Sequence, residues 1–274
     1  MITRFAPSPT GPLHLGHAYS AIFAHDRAHA AGGTFLLRHE DTDFERSKDH
    51  WIAQVEDDLH WLGLSWPKPA LRQSAHLARY AHALDHLGAL GVLYPCSCTR
   101  GDIKAALSAP QEGYLPGPYP GTCRGRPMSY RREGDAIRLH LSRALALVGP
   151  VTFTETGAAH RGVHALDADT LARVSGDVIV GRKDGVVAYF LASALDDNYE
   201  GITEVIRGED LFDFTGIQAL ILALLGHAPP RYHHHRLIRD EAGKRLAKRD
   251  DARAIATYRA ECLRPGDIRA LVGL

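Results

Sequence analysis

The first seventeen residues restrict the architecture of this chain more than any other stretch. Ile2 to Phe5 form a short apolar strand, and Ala6-Pro7-Ser8-Pro9-Thr10-Gly11-Pro12 break it. A helical pattern of small or apolar residues then follows at Leu15, Ala18, Ala21 and Ile22. A strand that turns through Gly and Pro into a helix N-terminus presents backbone N–H groups suited to an anion. His14 and His17, three residues apart, face one side of the first turn. On these residues alone, a phosphate-binding lip, a solvated turn and a His-x-x-His metal pair all stay open.

Further strands and helices extend the α/β pattern. Gly32-Gly33 precede a buried strand, Thr34 to Arg38, which runs into His39-Glu40-Asp41-Thr42-Asp43. Ser47 is expected to cap a helix bearing Trp51, Ile52, Val55, Leu59 and Leu62, and a second helix is expected from Ser74. Asp177 to Val180 and Ile202 to Ile206 read as strands, and Thr215 to Leu225 as an apolar helix. His233-His234-His235 is expected to be a solvated loop, because three adjacent side chains on a regular element cannot face one ion. In a doubly wound sheet ligands collect beyond the carboxyl ends of the strands. Glu40 there can hold an ammonium group, and Arg207 can grip a carboxylate with two parallel hydrogen bonds.

Composition sets limits on partners and compartment. Lys plus Arg and Asp plus Glu both number 32, so any nucleic-acid surface must be local. No apolar run reaches the length of a membrane span, and the N-terminus is a motif strand without signal-peptide character. Four cysteines, with Cys96, Cys98 and Cys123 clustered in a loop-rich region, favour a reducing compartment and a metal or redox site. Three thiolates suit Zn²⁺ but leave a fourth ligand to be found among His140, Tyr114 and Tyr119. The expected location is the cytoplasm.

The run Arg4-Phe5-Ala6-Pro7-Ser8-Pro9-Thr10-Gly11 followed by His14-Leu15-Gly16-His17 resembles the first nucleotide-binding motif of glutamyl-type class I aminoacyl-tRNA synthetases. The resemblance continues in Leu37-Arg38-His39-Glu40-Asp41-Thr42-Asp43 and in the block holding Tyr189 and Arg207. Arg245-Leu246-Ala247-Lys248-Arg249 aligns with the family's second motif, usually Lys-Met-Ser-Lys-Ser, and keeps only its second lysine, Lys248. The resemblance implies an α/β fold: a Rossmann-like doubly wound parallel sheet with a zinc-bearing α+β insertion and a short C-terminal helical segment. Its expected divisions are 1–91 and 175–228 for the two catalytic halves, 92–174 for the insertion and 229–274 for the basic loop and last helices.

The same resemblance implies the site. Arg4, Phe5, Ala6, Pro7, Ser8, Glu40, Tyr189 and Arg207 would bind L-glutamate. His14, Gly16, His17, Arg245 and Lys248 would bind ATP with Mg²⁺, His14, His17 and Lys248 assisting catalysis. Cys96, Cys98, Tyr119 and Cys123 match the family's Cys-x-Cys and Tyr-x-x-x-Cys zinc spacing. Only 24 residues follow Asp250, so no anticodon-binding domain is expected. That resembles the short branch of the family, whose members attach glutamate to queuosine in the anticodon of tRNA-Asp. A minimal enzyme charging a tRNA 3′ end, and a non-catalytic ATP- or RNA-binding descendant, are the competing readings. The protein is expected to be a monomer.

Overall fold

The computed structural model describes residues 1–99, 101–103, 118–239 and 253–274. In chain order the elements are β1 (Ile2–Phe5), α1 (Leu15–Ala30), β2 (Thr34–His39), α2 (Asp49–Trp61), β3 (Leu71–Arg72) and α3 (Leu77–Ala89). There follow β4 (Leu93–Cys96), β5 (Ala136–Leu139), α4 (Leu141–Val148), β6 (Thr152–Glu155), β7 (Gly162–Ala165), α5 (Ala168–Val174) and β8 (Ile179–Gly181). The chain closes with α6 (Tyr189–Tyr199), β9 (Glu204–Gly208), α7 (Thr215–Leu224), β10 (Arg231–His235), α8 (Ile255–Ala260) and α9 (Pro265–Val272).

β1, β2 and β3 form one parallel sheet, and β9, β10 and β6 form another, with β7 antiparallel on its edge. The two meet at β1 and β9. Thr203 donates its N–H to the Ile2 carbonyl at 2.9 Å, and Arg4 reaches the Ile206 carbonyl at 3.1 Å. The layer therefore runs β3-β2-β1-β9-β10-β6-β7 and winds outward in both directions from its centre. That centre is the switch point at which such sheets bind ligands.

Two strands lie in the sheet opposite to the one expected. β6, placed by the sequence reading inside the insertion, pairs with β10 of the parallel layer. β8, read as the resumption of that layer, pairs with β5 in an antiparallel sheet ordered β4-β5-β8. Both strands have only three or four residues, too few for alternation to say which sheet they join, and non-local pairing decides. Nor does the insertion carry its own core. Leu139, Leu141 and Ala144 pack in one cluster with Tyr80, Leu87, Val180, Leu191, Ile217 and Leu220.

Smaller corrections concern helix starts. α2 begins after Lys48, while Ser47 closes the preceding turn through its N–H to the Asp43 carbonyl. The Ser74 stretch is a 3₁₀ turn, because the Asp41 carboxylate takes both its N–H and its hydroxyl, at 2.8 and 2.7 Å; α3 starts at Leu77. His233 to His235 form β10, paired in register with Ile206 to Gly208. α9 docks on α1 and α8 reaches α2 through Arg259, burying Ile268 and Ile255, each 0% exposed. Two such side chains contribute about 3–6 kcal/mol. The half-exposed Arg269–Asp26 and Arg259–Asp57 pairs contribute about 0–1 kcal/mol each, so apolar burial does the docking.

Candidate active site

His14 caps α1 from an extended backbone, its Nδ1 accepting the Gly16 N–H at 3.1 Å. His17 Nδ1 accepts the His14 N–H at 3.2 Å, and the two rings stack with centroids 3.8 Å apart. The shared face foreseen for the pair is therefore present, but the imidazoles satisfy two of the N–H groups that the turn was expected to offer an anion. An imidazole that accepts at Nδ1 carries its proton on Nε2 when neutral. Both histidines are thereby set as Nε2–H donors. The motif loop is tied to β2 by the Glu40 N–H, which donates to the Pro7 carbonyl at 3.0 Å. It is also tied to the C-terminal helices, where the Ile255 N–H reaches the Leu13 carbonyl at 2.8 Å.

At the carboxyl ends of β1 and β2 lies a buried ionic network. Arg4 pairs with Asp197 of α6 through Nε at 2.8 Å and Nη2 at 3.2 Å. Asp197 also accepts from Arg38 at 2.8 Å, and Arg38 reaches Glu200 at 2.8 Å and Glu40 at 3.4 Å. Burial pushes the Asp197 carboxyl pKa up, but Arg4 and Arg38 outweigh it and hold the group below its ordinary value. Glu40 goes the other way: burial raises its pKa to about 7 despite the pull of Arg38 and Arg4. Asp196, next to Asp197 in sequence, is held by Arg79, Gln73 and the Tyr80 hydroxyl.

Arg207, on β9, has different company. Its Nε–H donates to His234 Nε2 at 2.9 Å and its Nη2 to the Thr215 hydroxyl at 2.8 Å, while Nη1 meets the Gln218 side-chain oxygen. Because His234 accepts at Nε2, its proton lies on Nδ1 and is donated to Glu155 at 2.5 Å. Burial lowers the His234 pKa to about 4, which keeps the ring neutral. Burial also opposes ionisation of Glu155, but hydrogen bonds from His234 and the Gly157 N–H win and bring it to about 2. Gly157 is required here, since a Cβ would stand 2.4 Å from the His234 carbonyl oxygen. Tyr189, at the start of α6, is 39% exposed as a residue. Its phenol still feels the charges of Arg207, Glu40, Arg4 and Asp197, so the four predicted side chains Arg4, Glu40, Tyr189 and Arg207 share one locality.

Phe5, Ala6, Pro7 and Ser8 leave β1 directly beside this network, and Gly16 lies in the first turn of α1. Arg245 and Lys248 lie outside the described residues. The sequence reading missed Arg38, Asp196, Asp197, Glu155, Gln218 and His234. Arg38 sits two positions before Glu40, and Asp196-Asp197 is a visible acidic pair, so a weak signal existed. For Glu155 and His234, 79 residues apart, there was none.

In the antiparallel unit the three cysteines converge. Their Sγ atoms lie within 4.8 Å of one another, Cys98 and Cys123 being 3.5 Å apart. The Tyr119 oxygen stands 3.4 Å from the sulfurs of Cys96 and Cys98 and accepts the Cys123 N–H at 2.8 Å. Burial and the surrounding thiols push the Tyr119 phenol well above its ordinary pKa. Burial also disfavours the Cys123 thiolate, yet hydrogen bonds led by Tyr119 draw it down to about 6. Of the other candidates, His140 instead caps α4, its Nδ1 taking the Arg143 N–H, and Tyr114 lies outside the described residues. Three sulfurs and one oxygen around a common centre make a donor set for a four-coordinate cation that prefers thiolates.

Comparison with known proteins agrees with this architecture. The family described as "tRNA synthetases class I (E and Q), catalytic domain" matches residues 1–116 and 166–270. The glutamate tRNA ligase of Elizabethkingia meningosepticum, solved in complex with its amino acid, superposes with a TM-score of 0.70 at 26% identity. That match covers 91% of this chain and 52% of the ligase. Methionyl-tRNA synthetase of Mycobacterium tuberculosis shares the fold alone, at a TM-score of 0.64 and 14% identity over 99% of this chain and 63% of its own. The chain is thus a class I aminoacyl-tRNA synthetase catalytic fold of the glutamyl and glutaminyl type.

Curated relatives narrow the class. A glutamyl-Q tRNA(Asp) synthetase of Rhodobacter capsulatus is 54% identical over the full length of both chains. Another, of Nitratidesulfovibrio vulgaris, is 38% identical over 93% of this chain and 80% of its own. The chain belongs to the glutamyl-Q tRNA(Asp) synthetase family. Among the described residues no helix is long and apolar enough to cross a membrane.

Proposed function

We propose that the protein activates L-glutamate with ATP and Mg²⁺ and transfers it to queuosine in the anticodon of tRNA-Asp. One arrangement supports the amino-acid part: Arg4 and Glu40 join one buried network through Asp197 and Arg38 at the ends of β1 and β2, the Tyr189 phenol senses the charges of Arg4, Glu40 and Arg207, and His17 lies against Phe5 at the end of β1. Glutamate brings one ammonium and two carboxylates. Glu40 takes the ammonium, Arg207 a carboxylate, and Arg4, Tyr189 and the Phe5–Ser8 strand exit shape the rest.

The α-carboxylate oxygen attacks the α-phosphorus of ATP, the bond to the β-phosphate breaks, and pyrophosphate leaves. His14 and His17 donate Nε2–H to the phosphates, and Arg245 and Lys248 supply cationic charge there. A queuosine hydroxyl then attacks the acyl carbon, AMP departs with the bonding electron pair, and the hydroxyl proton passes to phosphate or solvent. The protein supplies position and charge, with no covalent nucleophile. Cys96, Cys98, Tyr119 and Cys123 would hold a structural Zn²⁺, which would cross-link β4 and the 118–123 loop. The enzyme acts as a cytoplasmic monomer.

The test is transfer of labelled glutamate to tRNA-Asp with and without queuosine. Label confined to the queuosine-bearing tRNA supports the proposal. Label on unmodified tRNA-Glu replaces it with 3′-end charging, the reading favoured by the likeness to glutamate tRNA ligase. Absence of both transfer and glutamate-dependent pyrophosphate exchange overturns it.

A further inference from the structure

Although acidic and basic side chains balance over the whole chain, residues 124–132 hold four arginines, one tyrosine and no acid. This segment leaves Cys123 and borders an open cavity of about 350 Å³ lined by Ser97, Arg126, Pro127, Tyr130, Arg132 and Asp135. Its polar wall is internally hydrogen-bonded. Arg126 grips both oxygens of Asp135, at 2.7 and 3.4 Å, and reaches the Tyr130 carbonyl at 3.1 Å. Asp135, nearly buried, also accepts the Arg132 N–H at 2.9 Å. Tyr130 is 68% exposed, and Arg131 and Arg132 extend into solvent beside it.

The cavity lies next to the amino-acid site by a short chain of contacts. Lys183 donates to the Ser97 carbonyl at the cavity wall, 3.0 Å. Its neighbour Arg182 donates to the Thr42 carbonyl, 3.2 Å, two residues beyond Glu40. The 182–183 turn thus joins the cavity wall to the segment just beyond Glu40, so an RNA loop with one base at the amino-acid site lies on a path toward the cavity.

We propose that this cavity is a subsite for one unpaired nucleotide of the RNA substrate, its base stacked on Tyr130 and edged by the Arg126–Asp135 pair. Arg131 and Arg132 meet the flanking phosphates. The inference rests on the RNA-acylating reading above and adds to it a second point of contact. Unpaired bases are read by stacking on aromatic rings and guanidinium planes and by hydrogen bonds to their edges. The guanidinium fork matches phosphate oxygens. The volume falls at the low end of the range of about 300–1,000 Å³ for ligand pockets, which suits a nucleotide and excludes a duplex. A protein partner is disfavoured because the wall is charged and already hydrogen-bonded, with only Pro127 and Tyr130 as exposed apolar surface among its lining residues.

Three variants test the subsite: Tyr130→Ala, Tyr130→Phe and the double change Arg131→Ala with Arg132→Ala. Each side chain is exposed, so the fold is retained, as thermal melting will verify. Glutamate-dependent pyrophosphate exchange, which needs no RNA, is expected to be unchanged in all three. For transfer to queuosine-bearing tRNA-Asp, Tyr130→Ala raises KM roughly tenfold, as loss of one stacked base implies, and Tyr130→Phe restores it. The double arginine variant weakens binding and lowers the slope of log K against log salt by about 1.4, for two phosphate contacts on a single strand. A transfer KM unchanged in Tyr130→Ala and in the double variant, with exchange intact, overturns the subsite. If the wild-type protein catalyses neither reaction, the functional reading fails separately. Anisotropy titration of labelled tRNA-Asp against the same variants then still decides the subsite, equal affinities rejecting it.

Discussion

Arg4 and Arg207 flank the same site, yet the protein surrounds them in opposite ways. Arg4 faces Asp197 in a two-pronged ion pair, and that carboxylate is shared with Arg38. Among the described residues Arg207 bonds neutral groups: the Gln218 oxygen, the Thr215 hydroxyl, the Leu211 carbonyl and a His234 ring kept neutral by burial. Glu155 stands behind it, one imidazole away. Arg4 is therefore offset by a carboxylate in direct contact, whereas hydrogen bonds to neutral acceptors fix the geometry of Arg207. The comparison teaches that one residue type serves two ends here. The first arginine cross-links β1 to α6, and the second is held by neutral groups in the proposed glutamate site.

The largest effect follows from breaking the direct pair. Asp197→Asn leaves Arg4 and Arg38 buried without their common counter-charge, a cost of about 3–5 kcal/mol. Chemical denaturation is expected to show that loss, with glutamate affinity falling only as far as the site loosens. Arg207→Lys reverses the pattern. Stability falls by about 1–3 kcal/mol, since the buried acceptors on His234, Gln218 and Thr215 lose their donors. Glutamate activation falls by more, roughly 2–4 kcal/mol or about 30- to 1,000-fold, because a lysine keeps the charge but loses the planar group those contacts orient. Pyrophosphate exchange at varied glutamate concentration separates the two. If Arg207→Lys unfolds the protein while Asp197→Asn merely raises KM, the roles assigned to the arginines are exchanged.

The contrast also explains what could be read from the chain beforehand. Arg4, Glu40, Tyr189 and Arg207 each lie in a contiguous motif, so their sequence neighbours identify them. The groups that set their electrostatics come from elsewhere in the chain. Asp197 reaches Arg4 across 193 positions, and Glu155 reaches His234 across 79. The His233–His235 run was misjudged because a strand buried on both faces can hold histidines when each finds a partner, and those partners are non-local. The short strands β6 and β8 exchanged sheets for the same reason. By contrast the cysteine spacing was legible, since Tyr119, Cys96, Cys98 and Cys123 meet through two local loops.

The relay behind Arg207 gives a smaller effect. Glu155→Gln keeps the shape but has one acceptor oxygen where Glu155 has two, with the Gly157 and His234 N–H groups and the ring Nδ1–H all seeking acceptors. If the amide nitrogen faces the ring, His234 must carry its proton on Nε2, and that N–H then opposes Arg207 Nε–H. The expected loss is about 1–3 kcal/mol, seen as a raised glutamate KM with ATP KM unchanged. A variant that lowered both affinities alike would reduce Glu155 to a packing residue.

The smallest effect is a pH dependence that belongs to the Arg4 side alone. Glu40 titrates at about 7 because burial disfavours its charge, with Arg38 and Arg4 pulling the other way and Asp197 and Asp196 adding to the rise. An unfolded glutamate titrates at about 4.3. The folded protein thus holds an extra proton between these values, and stability falls as pH rises through that window, then levels above about 7. Binding an ammonium group requires the carboxylate, so below about pH 7 each bound glutamate must displace one proton. Glutamate KM is expected to fall about tenfold between pH 6 and pH 8 and to flatten above it. In Glu40→Gln the slope disappears and KM stays high throughout. Isothermal titration in buffers of different ionisation enthalpy counts the proton directly: close to one released at pH 6 and close to none at pH 8.5. Equal proton release at both pH values would mean that Glu40 is already ionised in the free enzyme, and the asymmetry between the two sides of the site would then rest on the arginines alone.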